Sequence, residues 1–268
     1  MAESFTFELE AVSTEFYAHP HDIVLSPDGK KLYVADNGNH RIAVLDGQTL
    51  KEIGIFGRGE VREPHDVAFD RKGRLLVADT GNSRISIYEV SGTGGRLVGE
   101  LRGRINRPEG VAVHDDGRVF ATGAASNNLV VYRDGEVAGE TGGFSAPHDV
   151  EFAPDGSVWV ADAGNDRVVR LDEALQITAT LAGSEYAFNG PRYMDFDTEG
   201  RMYVADKNSN QIKVVSRGGE LLHVLGTKNP GKGEGLFNRP EGVEIAGNVI
   251  WFADTYNNRI VRYRFIAY

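Results

Sequence analysis

The chain has 268 residues, with 33 glycines, no cysteine and a formal net charge of −10. The missing cysteine excludes disulfides, thiolate zinc sites and a cysteine nucleophile, and the acidic balance argues against a general affinity for nucleic acid or anionic membrane, both of which need basic surface. Hydrophobic residues make up 41% and charged residues 25%, a soluble globular composition with no run of about 18 apolar residues that would cross a membrane.

Taken in chain order, Met1 to Phe5 carry no basic segment followed by an apolar run, so no secretory signal is expected and the chain reads as cytoplasmic. Residues 5–10 (Phe5-Thr6-Phe7-Glu8-Leu9-Glu10) alternate apolar and polar, as a half-exposed edge strand does. From Pro20 onward one pattern recurs. A proline opens a short apolar run, a turn follows, and a second apolar run ends in Ala-Asp. The prolines are Pro20, Pro64, Pro108, Pro147, Pro191 and Pro240, and the aspartates are Asp36, Asp79, Asp162, Asp206 and Asp254. In the third copy the second anchor decays to Ala121-Thr122.

The first copy predicts four strands: Ile23–Leu25, Leu32–Ala35, Ile42–Leu45 and Ile53–Phe56, with a Pro27-Asp28-Gly29 turn after the first. No segment holds a helical apolar period. Four-strand units at a period of 40–45 residues are the signature of propeller blades. The expectation is an all-β fold, a six-bladed β-propeller forming a single domain over residues 1–268, with blades starting near 20, 64, 108, 147, 191 and 240. Blade six shows only three strands, about 242–246, 249–254 and 259–266, so residues 5–10 are expected to supply its outer strand and close the ring.

Asn39-His40-Arg41-Ile42, Asn82-Ser83-Arg84-Ile85, Asn165-Asp166-Arg167-Val168 and Asn257-Asn258-Arg259-Ile260 resemble NHL repeats. The resemblance covers the whole chain and implies a propeller of the NHL type. It does not choose a function, because NHL propellers include enzymes, nucleic-acid binders and scaffolds. The Asn-x-Arg segments are expected to tie blade to blade, and the Ala-Asp aspartates to make local bonds to the loop backbone.

The innermost strand of each blade lines the channel, so the residue after each proline approaches the axis once per blade. These residues are His21, His65, Glu109, His148, Arg192 and Glu241; the next ones are Asp22, Asp66, Gly110, Asp149, Tyr193 and Gly242. Three imidazoles and a carboxylate form a common shell for zinc or non-haem iron. His21, His65, His148 and Glu109 are therefore the expected metal ligands, with the following aspartates as acceptors that fix the ring tautomers. The bland alternative is a backbone-capping Pro-x-Asp motif copied from blade to blade. Arg192 reads as a clamp for a carboxylate or oxyanion, or as an ion-pair partner of Glu241. Tyr193 is a proton-transfer candidate if a cation lowers its pKa, and Glu241 a ligand or base. His19, beside the ring, is left open between a surface residue and a ligand.

The Pro-His openings resemble those of the peptidyl-hydroxyglycine α-amidating lyases. That resemblance implies a zinc held by His21, His65 and His148, and an arginine and a tyrosine in the channel, for which Arg192 and Tyr193 are the loose counterparts. The resulting expectation is a metal-dependent lyase or hydrolase acting on a small polar substrate in the channel. It would carry one divalent ion, zinc ahead of iron or manganese, and would work as a monomer without nucleic-acid or membrane partners. The alternative is a non-catalytic NHL propeller that serves as a protein-interaction scaffold.

Overall fold

The computed structural model describes residues 5–15 and 17–267; residues 1–4, 16 and 268 of the single-domain reading lie outside it. Six four-stranded antiparallel sheets follow one another around an axis. The innermost strands begin at or just after the recurrent prolines: Pro20–Leu25, Pro64–Phe69, Pro108–Val113, Asp149–Phe152, Pro191–Phe196 and Val243–Ala246. Phe5–Val12 pairs with Arg259–Ala267 and completes the sixth sheet as its outer strand, with a bulge between Leu9 and Ala11. The two ends of the chain are thus hydrogen-bonded within one blade, and the ring has no open seam. Among the described residues no helix is long and apolar enough to cross a membrane.

The second and third strands of the blades read as apolar runs because both faces are covered. Ile42–Leu45 and Leu75–Ala78, for example, are almost wholly buried, and the core is a series of apolar layers between neighbouring sheets. Outer strands alternate, as Glu52–Phe56 does, since one face meets solvent.

The NHL signature divides its labour differently from expectation. In blade one Asp36 Oδ1 accepts from the Ala18 backbone N–H at 2.9 Å, while Oδ2 accepts from Asn39 Nδ2 at 2.8 Å and Arg41 Nε at 2.6 Å. The same knot recurs at Asp79, Asp162 and Asp254. In blade five Lys213 takes the arginine's place on Asp206. The aspartate therefore reaches a backbone some 17 residues earlier rather than its own loop, and Asn and Arg hold their own blade together. Blade-to-blade ties come from the residue between them. His40, Ser83, Asn127, Asp166, Asn210 and Asn258 each accept the N–H of the residue before the next blade's proline. Those six acceptors all have φ near +50°. The residues before the prolines, His19, Glu63, Arg107, Ala146, Gly190 and Arg239, are left-handed as well, so the whole upper rim is built from a backbone conformation held by these cross-blade bonds.

At the axis the inner strands come close enough to dictate sequence. A Cβ on Gly110 would lie 2.5 Å from the His148 carbonyl oxygen and 2.8 Å from the Asp149 Cα; one on Gly242 would lie 2.5 Å from the His21 carbonyl oxygen and 3.0 Å from the Asp22 Cα. The glycine of each Pro-Glu-Gly opening therefore makes room for the Pro-His-Asp opening of the next blade. Gly110→Ala and Gly242→Ala are each expected to lower stability by about 1–3 kcal/mol. Gly99→Ala, with no atom nearer than 3.8 Å, should be close to neutral when all three are compared by urea titration.

Candidate active site

The packing constraint at the two glycines decides which ring residues meet. Glu109 faces His148 of the following blade, and Glu241 faces His21 of the following blade, so two Glu–His pairs lie half a turn apart around the axis. The Glu109 carboxylate contacts His148 Nε2, and Glu241 Oε2 lies 3.1 Å from His21 Nδ1. His65 sits between them, edge-on to His21 with ring centroids 4.2 Å apart and 6.3 Å from His148; its Nε2 is 3.9 Å from Glu109 Oε1. The ring order is His, His, Glu, then His, Arg, Glu: two three-blade halves that differ at blades two and five, where His65-Asp66 faces Arg192-Tyr193.

Two cations complete the layer. Arg192 Nη1 lies against both ring nitrogens of His148, 2.6 Å from Nδ1 and closer still to Nε2, and Lys207 Nζ lies 2.7 Å from Glu241 Oε1. Lys207 follows Asp206, on a loop position that in blades one, two and six carries Asn37, Thr80 and Thr255, each bonded to the next blade's proline carbonyl. The sequence reading missed Lys207. The repeat alignment was its signal, since a lysine replaces a small hydrogen-bonding side chain at a position aimed at the next ring residue. Glu241 therefore takes Lys207 rather than Arg192 as its cation, and Arg192 is left to cap an imidazole.

Burial and charge set the protonation states. Burial pushes the His65 imidazole down to about 3, helped by the neighbouring His21, and lowers His148 against the opposing pull of Glu109, with Arg192 adding to the fall. Burial alone would raise Glu109, but His148, His65 and Arg192 outweigh it and hold its carboxyl at about 2. Glu241 is likewise held well below the usual carboxylate range, because His21, Lys207 and Arg192 outweigh its burial. His65 and His148 are neutral at pH 7, and two carboxylates face two cations. The His65 Nδ1 proton goes to the Glu63 carbonyl at 3.0 Å, which leaves Nε2 bare toward the axis.

The aspartates after the histidines do not orient the rings. Asp66 Oδ2 accepts the Val111 N–H at 2.5 Å and Asp149 Oδ2 the Met194 N–H at 2.8 Å, so they brace the next blade's inner strand. Tyr193 is 1% exposed, and its hydroxyl donates to the Glu109 carbonyl at 2.9 Å. Burial and the surrounding carboxylates raise it well above an ordinary phenol, so it holds the Glu109 strand in place. Below it the channel widens into a cavity of about 300 Å³. Asp22, Asp66, Asp149, Glu151, Asp195 and Glu244 line this cavity, and no basic residue does.

The residue types of the ring match a nitrogen-and-oxygen metal centre, and several buried donors lack an aligned hydrogen bond: His21 Nδ1, Glu109 Oε2 and both oxygens of Glu241. Their arrangement does not match one. Among the described residues no group of three or more His, Asp or Glu side chains is arranged so as to hold a metal ion, and His148 is already engaged on both ring nitrogens. The chemistry of this ring is therefore derived from its own acid, base and cationic groups.

Comparison with known proteins agrees with this architecture. The pattern described as NHL repeat matches residues 17–45 and 62–88, and that described as Lactonase, 7-bladed beta-propeller matches residues 121–265, more than half of the chain. A segment is 32% identical over 85 residues to Protein SUPPRESSOR OF QUENCHING 1, chloroplastic, of Arabidopsis thaliana, covering 27% of this chain and 8% of that protein. Another is 39% identical over 56 residues to NHL repeat-containing protein 2 of Homo sapiens, covering 19% of this chain and 8% of that one. The chain thus matches under a tenth of the length of these curated relatives. Among solved structures, a streptogramin B lyase superposes with a TM-score of 0.68 at 17% identity, over 97% of this chain and 87% of that one. Virginiamycin B lyase of Staphylococcus aureus gives 0.68 at 14%, over 98% and 100%. A Bacteroides thetaiotaomicron protein of unknown function gives 0.80 at 12%, over 98% and 76%. At these identities the likeness is one of fold.

The acid-lined cavity gives a pH-dependent stability. Burial raises Asp66 to about 6 and Asp195 to about 7, and raises Asp22, Asp149, Glu151 and Glu244 as well. A carboxyl whose pKa is raised on folding contributes stability that is full below its unfolded value near 4 and is lost as pH rises through the folded value. The melting temperature is therefore expected to fall between about pH 5 and pH 8, and Asp195→Asn, which keeps one of the two acceptors the carboxylate offers to the Phe196 and Ile245 N–H groups but cannot ionise, should reduce that fall by about 2–4 °C in calorimetry. An unchanged slope would show that these acids do not control it.

Proposed function

The chain belongs to the family described as Lactonase, 7-bladed beta-propeller, and from that premise we propose that it opens a small anionic lactone or related ester in the upper channel by acid–base catalysis. Propeller blades contact only their neighbours, so blade number changes by adding or losing a repeat without altering the local pattern; six sheets are compatible with that family. The observation that carries the reading is the contact between Arg192 and His148. Glu109 lies against His148 Nε2, and Arg192 lies against both ring nitrogens, so the nitrogen that carries the imidazole's lone pair is covered by the guanidinium. A substrate carboxylate that takes Arg192 frees this nitrogen beside itself, so the base becomes available when the anion is bound.

Hydrolysis then follows from the groups present. The freed ring nitrogen of His148 accepts a proton from water as the water oxygen bonds to the ester carbonyl carbon. The negative charge on the carbonyl oxygen is held by Lys207 and the guanidinium. The carbonyl carbon–alkoxide bond breaks, and the imidazolium returns its proton to the departing alkoxide, giving a hydroxy acid. Glu109 keeps the imidazole oriented and steadies its positive charge, as the carboxylate does in a His–Asp pair. His65, His21 and Glu241 form the opposite wall. The same base also serves an elimination, the lyase reaction named for two of the fold relatives, if the proton it takes is carbon-bound.

The assay is ring opening of carboxylate-bearing γ- and δ-lactones followed by pH-stat, with an eliminated product sought in parallel by absorbance. His148→Ala should lower kcat/KM by about 10²–10⁴-fold, and Glu109→Gln should lower it with little change in KM. Because His148 is held below its ordinary value by burial and by Arg192, the acid limb of the pH profile should lie below 6.5, and Arg192→Gln should move it upward while raising KM for anionic lactones. Retention of full activity in His148→Ala overturns the reading.

A zinc, iron or manganese ion at His21, His65, His148 and Glu109 is the competing account of the same ring. Elemental analysis of protein purified without added metal decides between them. The acid–base reading expects no stoichiometric metal and unchanged turnover after chelation. A propeller acting only as a scaffold is favoured by one feature, the mutual pairing of the ring's charged groups; it expects no turnover of any lactone and no effect of ring substitutions on partner capture by the upper face.

A further inference from the structure

Above Lys207 the rim between blades five, six and one carries an exposed aromatic ring surrounded by cations. Tyr256, on the short turn Thr255–Asn257, is 40% exposed. The Arg239 guanidinium lies 4.9 Å from its ring centre, Lys207 Nζ 5.4 Å, and the His19 ring 4.9 Å. Arg239 and His19 are both residues before a blade-opening proline, with φ of 48° and 50°. Their backbone N–H groups are fixed by Asn210 and Asn258 of the preceding blades at 2.8 and 2.9 Å. The cluster is thus mounted on the same cross-blade ties that hold the ring.

Arg107 shows what the position does without a ligand role. It precedes the proline of blade three, and its guanidinium pairs with Glu63 of the neighbouring blade at 3.3 Å. Arg239 has no carboxylate within ion-pair distance among the described residues, in a chain with ten more acidic than basic groups. An arginine left over an aromatic face in an acidic protein, next to a lysine that leads to the reacting layer, is a landing place for a negative charge.

We propose that His19, Tyr256 and Arg239 form an anion subsite at the channel mouth, which holds a second negatively charged group of the substrate, a carboxylate or a phosphate, while the first is held by Arg192. The link to catalysis rests on the hydrolase reading above; the binding does not. Anion binding is measured by calorimetry with inorganic phosphate and, separately, with malonate, on the full chain. Both arms use wild type, Arg239→Gln, Tyr256→Leu and, as a control of like position, Arg107→Gln. Whichever anion binds, Arg239→Gln and Tyr256→Leu should weaken it roughly three- to tenfold, and Arg107→Gln should leave it unchanged. The stronger of the two arms names the group as phosphate or carboxylate. Equal affinity in Arg239→Gln and wild type, or no saturable binding of either anion to wild type, overturns the subsite. If wild type turns over no lactone yet loses anion binding in Arg239→Gln, the hydrolase reading fails and the subsite stands. If both hold, Arg239→Gln should raise KM for doubly anionic lactones and leave kcat for singly charged ones unchanged.

Discussion

The close approach of neighbouring inner strands at Gly110 and Gly242 organises the chemistry of this propeller. Six sheets around one axis leave so little space that a single added carbon would meet the next blade's carbonyl at 2.5 Å. Where a blade yields that space, its own ring residue is a glutamate and its neighbour's is a histidine. Each Glu–His pair is thus a product of backbone packing between two blades. Such pairs are set by rigid strands rather than by loops, so their geometry is maintained without a ligand.

Once the pairs form, a buried layer with two carboxylates needs positive charge. Arg192 and Lys207, both from blade five, bring positive charge to it. Both cations enter from one side, so the ring is electrostatically lopsided although its histidines and glutamates are arranged in two similar halves. The blade-five side of the ring presents two cations, and the opposite wall presents the imidazoles of His21 and His65. The acid-lined cavity below Tyr193 has no counter-cation in its lining, and burial favours the protonated form of its carboxyls. That lower end has no cation to recognise an anion, which leaves the upper mouth as the end of the channel where cations face inward.

The fold was legible because propeller periodicity is redundant. Six prolines and five Ala-Asp pairs report the same unit, and loss of one anchor at Thr122 did not hide the rest. Thr122 also shows why the anchor matters: the short 3₁₀ turn that follows the aspartate in the other five blades is absent from blade three. Residues 5–10 were readable as the closing strand because blade six lacked a fourth and the segment alternated; the observed strand continues to Val12. The ring membership of His21, His65, Glu109, His148, Arg192 and Glu241 was legible for the same reason. What each residue touches was not. Pairing depends on which blade stands next and on sub-ångström clearance at a glycine, and neither is encoded locally. The aspartates looked like partners of the histidines beside them in sequence, yet strand geometry sends alternate side chains to opposite faces, so they turn to the next blade's backbone. Lys207 escaped notice because its loop position is structural in the other blades.

The broken symmetry at blades two and five carries the functional weight. If the ring were two equal halves, His65 would face a second histidine, no cation would stand at His148, and either Glu–His pair would be an equivalent base. Arginine at 192 breaks that equivalence in two ways at once. It adds charge on one side of the axis, and it occupies the lone pair of one imidazole while the other pair remains with Lys207. Tyr193, in place of the aspartate of blade two, then ties blade five to the Glu109 carbonyl across the channel, which fixes the distance between the arginine's strand and the glutamate that orients its histidine. A cation that holds both the substrate's charge and the base's lone pair couples recognition to reactivity through one guanidinium. Its competition between imidazole and carboxylate favours the carboxylate, because a carboxylate offers the guanidinium an opposite charge and two parallel hydrogen bonds where a neutral imidazole offers one lone pair. On the reading proposed above, selectivity for anions would follow from the same contact that covers the base while no anion is bound.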